Sequence, residues 1–80
     1  MAESEFHVLV KKGDAEAEVE SALAELAAGG TPPQESGLHK VTYVTRARQT
    51  VVMVDDRDAP LTRALRERAG WDEPGLGEVG

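Results

Sequence analysis

The run Val51-Val52-Met53-Val54 is apolar at successive positions, and so apolar on both faces when extended. Side chains alternate across a strand, so such a run is suited to a strand covered above and below. It therefore predicts the middle strand of a sheet, around which the other elements must be arranged. Val41 to Thr45 and Thr50 to Val54 are rich in β-branched residues and flank Arg46-Ala47-Arg48-Gln49, which reads as a hairpin. Ala-Arg fits a tight primed turn poorly, so a longer, open turn is expected. Pairing symmetric about Ala47 and Arg48 sets Val41 opposite Val54, Tyr43 opposite Val52 and Val44 opposite Val51. Val41, Tyr43, Val52 and Val54 then share one side, and Val44, Val51 and Met53 share the other with Thr42.

Upstream, residues 5–12 alternate with period two: Phe6, Val8 and Val10 on one face, His7, Leu9 and Lys11 on the other. Gly13-Asp14 ends this strand, and Asp14 is placed to cap a helix with apolar positions Ala15, Val19, Ala22, Leu23, Leu26 and Ala27. Glu16, Glu18 and Glu20 suit the positive end of its dipole, and Gly29 supplies the stop. The Gly- and Pro-containing stretch 29–38 is a loop. After Asp55-Asp56-Arg57-Asp58, either Asp58 or Ala59 caps a second helix with Pro60 in its first turn and Leu61, Ala64, Leu65 and Ala69 as its stripe. Gly70 fits the position just past its end, with Trp71 packing back onto the last turn. These elements make residues 1–71 a single α+β domain, followed by an acidic Gly- and Pro-containing tail, 72–80, in which Leu76 to Val79 is either a short edge strand or disordered.

The order β-α-β-β-α, with a crossover returning to a parallel neighbour, gives spatial order 2-3-1 and both helices on one face. The expected fold is a two-layer sandwich: two helices on a three-stranded mixed sheet, with Leu76 to Val79 as an optional fourth strand. Over residues 5–71 this order resembles the ferredoxin-like plan and, more loosely, the small ACT-type and dimeric α+β barrel domains; the resemblance is that of a small bacterial protein. The resemblance carries no functional family with it. It implies that a second copy covers the sheet face opposite the helices, where Leu9, Val44, Val51 and Met53 are expected with His7 and Thr42 beside them. Size points the same way. A chain of 80 residues buries only about 60–65% of its unfolded surface, and without a cysteine it has no disulfide or thiolate metal staple. A homodimer is therefore expected.

Charge narrows the partners. The net charge of −6 and pI near 4.8 argue against nucleic acid and anionic membranes, and no apolar run reaches membrane length, so a cytoplasmic setting is the default. The absence of Asn and Ile and the use of Arg over Lys suit a GC-rich genome and, more weakly, a heat-adapted protein. Charge is uneven along the chain: residues 41–69 hold six Arg against four acids, while residues 1–40 hold three Lys against eight acids. Arg46, Arg48, Arg63 and Arg66 thus form a candidate phosphate-contacting patch, although few aromatics accompany them for stacking.

If the first and third strands run parallel, their carboxyl ends bring Lys11, Lys12 and Gly13 beside Asp55, Asp56 and Arg57. That is a candidate anion or small-molecule site, or a magnesium site with Asp58; the plainer reading is a salt-bridge cluster with two helix caps. His7 and His39 fall on non-adjacent strands without metal-ligand spacing. No catalytic constellation, phosphate loop or cofactor motif is present in the sequence. What it supports is a self-associating interaction or ligand-sensing module ahead of an accessory nucleic-acid binder, with a small phosphate- or metal-dependent enzyme last.

Overall fold

The computed structural model describes residues 6–74; the optional strand at Leu76 to Val79 lies outside them. The elements are β1 (His7–Lys12), α1 (Glu16–Ala28), a 3-10 turn (Pro33–Glu35), β2 (Leu38–Val44), β3 (Gln49–Val54) and α2 (Pro60–Arg66). The sheet order is β1-β3-β2, so the doubly apolar run is the central strand, as its composition requires. The helices cover one face, where Val19 and Ala22 of α1 and Leu61 and Leu65 of α2 form the core with Leu9, Val52 and Val54.

The expected mixed sheet is corrected. Both ladders are antiparallel, with His7 opposite Val54 and Lys12 opposite Gln49. The crossover through α1 returns the chain to β2, parallel to β1 but one strand removed, and the hairpin then inserts β3 between them. This reversal pairs Leu9 with Val52 and so turns Leu9 and His7 to the helix side. Leu9 is fully buried in the core, and Val8, also buried, takes the other face.

The hairpin register differs from the symmetric expectation by two residues: Val41 meets Val52, Tyr43 meets Thr50 and Val44 meets Gln49. A two-residue shift preserves sidedness, so the predicted partition of β2 and β3 between faces stands. The turn is open, as expected, running over residues 45–48. It is centred one position earlier than expected and places Arg48 at φ 54.

Helix α1 begins one residue after the expected position. Ala15 is its N-cap residue, and Asp14 still accepts a hydrogen bond from the Glu16 N–H at 3.2 Å. It stops at Gly29, with Gly30 taking the positive φ. Helix α2 is shorter than expected. It ends at Arg66, leaving Ala69 exposed and Gly70 in a later turn, while Trp71 still packs against the core.

Buried hydroxyls pin the layers together. Thr50 Oγ1 accepts from the Ala15 N–H and donates to the Gly13 carbonyl, both at 2.8 Å. Ser36 Oγ donates to the Pro33 carbonyl, and the Ser36 carbonyl accepts from Leu61 N–H, one of the unpaired donors at the start of α2. Thr62 Oγ1 donates to the Asp56 carbonyl. Beyond α2 the chain returns to the outer edge of β1, where Val10 and Asp72 exchange backbone hydrogen bonds at 2.9 and 2.8 Å.

Candidate interaction surface

Alternation along the three strands assigns the side of the sheet away from the helices. It comprises Val8, Val10 and Lys12 of β1, Gln49, Val51 and Met53 of β3, and Lys40, Thr42 and Val44 of β2. Val10, Val44, Val51 and Met53 are only half-buried. Lys40, Thr42, Val44, Val51 and Met53 line a shallow depression of about 260 Å³. Three of the four residues expected on this face are there; Leu9 is the exception. At one end the ring of Phe6, just before β1, stacks on that of His39 in β2 with centroids 4.3 Å apart.

The face is one-signed. None of its strand positions is acidic, and Lys12 and Lys40 stand exposed on it, with Arg46 and Arg48 exposed on the adjoining turn. The opposite side of the molecule is different. Between α1 and α2 runs an open groove of about 360 Å³, with Leu26, Pro60 and Ala64 as its apolar lining, Glu25, Asp58 and Glu67 as its acids, and Arg63 as its one basic lining residue.

The antiparallel pairing separates the two halves of the expected ligand site. Lys11, Lys12 and Gly13 lie at the hairpin-turn end, where Gly13 N–H donates to the Arg48 carbonyl. Asp55, Asp56 and Arg57 follow the other end of β3, about 16 Å away along the strand. Lys11 is engaged structurally: its Nζ bonds Glu18 at 2.6 Å and sits 5.8 Å from the Trp71 ring centroid. Asp56 Oδ1 accepts from the Asp58 N–H at 2.7 Å, and Asp55 N–H donates to the Gly37 carbonyl, so both belong to the loop's own hydrogen bonding. Among the described residues, no group of three or more His, Asp or Glu is placed to hold a metal ion.

The arginine patch also divides. Arg46 and Arg48 are on the turn, whereas Arg63 shares the groove with Asp58 and Pro60, beyond the opposite end of β3. Arg66 is held by Glu73 through two bonds of 2.8 and 2.9 Å, and His7 Nε2 lies 2.7 Å from the same carboxylate. The Arg66 hydrogen bond, helped by His7, lowers the Glu73 carboxyl to about 2 and raises the Arg66 guanidinium in turn. A second ion-pair cluster joins Arg68 to Glu18 and Glu25, tying the segment after α2 to α1.

No family model, curated protein or solved structure matches the chain. No helix among the described residues is long and apolar enough to cross a membrane.

Proposed function

We propose that the chain is a small self-associating interaction module, in which a second copy covers the Val44, Val51 and Met53 face. The observation that carries this reading is the half-exposed apolar centre of the open sheet face, set beside exposed Lys40 and Thr42. Contiguous apolar surface rimmed by polar residues is the usual form of a protein-binding patch. The depression, about 260 Å³, is smaller than the ~300–1,000 Å³ of small-molecule pockets, which favours a broad contact over a ligand site there. A homodimer is the smallest assembly that satisfies the reading.

Sedimentation equilibrium tests it. The wild-type chain is expected to exceed its 8.6 kDa monomer mass as concentration rises. Met53→Glu is expected to restore the monomer with an unchanged far-UV circular dichroism spectrum. A wild-type chain that stays monomeric at about 1 mM, far above the range of a specific protein contact, refutes the reading. Salt-sensitive binding of single-stranded nucleic acid that Arg46→Gln with Arg48→Gln abolishes would favour the arginine-patch alternative instead.

A further inference from the structure

We infer that the copies associate head to tail, the basic sheet face of one copy seating on the acidic groove between α1 and α2 of the next. This rests on the self-association proposed above and specifies its geometry. Packing the sheet face against itself would bring the Lys12 and Lys40 positions of both copies into one contact with no acidic strand position to answer them. Like charges facing each other across an interface oppose association. The groove supplies what the sheet face lacks: Asp58 and Glu67, with Glu25 paired to Arg68, outnumber Arg63 around an apolar lining. Both surfaces therefore have an apolar centre and a charged rim, basic on the sheet face and with acids in excess in the groove.

The two surfaces lie on opposite sides of a slab measuring 34 × 34 × 17 Å. Its broad face is large enough for the roughly 800 Å² per partner that a stable interface buries. A contact between two different surfaces leaves one of each free at the ends of the assembly. It therefore continues to add copies unless rotation closes a ring.

The experiment uses two variants of the full chain. Val44→Gln with Met53→Gln disables the sheet face. Asp58→Lys with Glu67→Lys disables the groove and alters only exposed side chains. Circular dichroism serves to check the fold of each. Wild type is expected to grow past the dimer with concentration, and its association constant to fall about tenfold between roughly 20 and 500 mM salt, as screening weakens opposite charges. Each variant alone is expected to be monomeric. Their equimolar mixture is expected to give a 1:1 dimer that grows no further, because only one working surface of each kind remains. A groove variant that still dimerises alone would overturn the head-to-tail geometry and leave self-association standing. Two monomeric variants whose mixture stays monomeric would also overturn it, and a wild-type monomer at all concentrations refutes both proposals.

Discussion

Thr50 offers the sharpest test of how this small domain is held together. Valine has nearly the shape of threonine and favours strands, so on packing grounds Thr50→Val should be neutral or stabilising. The structure predicts the reverse. Thr50 is fully buried, and its hydroxyl is the partner of the Ala15 N–H at the start of α1, a residue only 6% exposed. Removing the hydroxyl strands that donor, which costs about 1–3 kcal/mol. The other partner, the carbonyl of exposed Gly13, is open to water and adds little. A net loss of about 2 kcal/mol follows, equivalent to about 8–16 °C in melting temperature for a domain of this size. Thr50→Ser keeps both hydrogen bonds and loses one methyl group, about 1 kcal/mol. Thermal and urea unfolding of the three proteins, read together, give the order wild type, Ser, Val. A Val variant as stable as wild type, or more stable than the Ser variant, would show that the hydroxyl does not hold the strand to the helix.

Other consequences can be checked in the same assays. Gly37 has φ 91, and a Cβ there would lie 2.4 Å from the Ala59 Cβ, so Gly37→Ala should cost about 3 kcal/mol or more through strain and overlap together. Arg48 occupies the left-handed region at φ 54, and Arg48→Gly should stabilise by about 0.5–1 kcal/mol, raising the melting temperature by a few degrees. The Glu73 carboxyl is lowered to about 2 from an ordinary 4.5, so its contribution to stability is complete above about pH 4.5 and is lost as pH falls toward 2. The stability difference between wild type and Glu73→Gln should therefore be largest near neutral pH and shrink across that window; a difference independent of pH would contradict the ion-pair assignment.

The elements most legible in the sequence were those whose burial leaves a local mark. Val51 to Val54 announced a central strand because its residues are apolar on both faces, although only the Val52 and Val54 face is fully buried, and the Ala- and Leu-spaced stretch of α1 announced a helix packed by one stripe. The direction of β1 was not legible. Whether a crossover lands on the adjacent strand or on the one beyond it depends on contacts far apart in the chain, and His7–Lys12 carries apolar residues on both faces, so its own pattern could not decide which faced the helices. That one ambiguity misplaced Leu9 and joined the Lys11 to Gly13 cluster to the Asp55 to Arg57 cluster. Thr50 and Ser36 escaped notice because residues of these types are usually exposed, and only the assembled layers show which backbone groups they satisfy. The acidic groove was hidden for a related reason: Glu25, Asp58 and Glu67 come from separate segments and meet only when α2 packs against α1.

The return of the chain along β1 has a consequence for how the protein behaves when its environment changes. A sheet of this size exposes two edges, each a template for unwanted strand addition. At β2 that hazard is countered by an irregularity between Leu38 and Lys40 and by the exposed charge of Lys40. At β1, beside the apolar run Val8-Leu9-Val10, it is countered by a cover: Asp72 occupies the Val10 hydrogen bonds, and Glu73 is fastened next to it by Arg66 and His7. An irregularity built into a strand is indifferent to acid, but a cover fastened by a carboxylate is not. Acidification loosens the β1 edge first, so fibrillar aggregates formed at low pH should grow from that edge while the β2 edge stays protected.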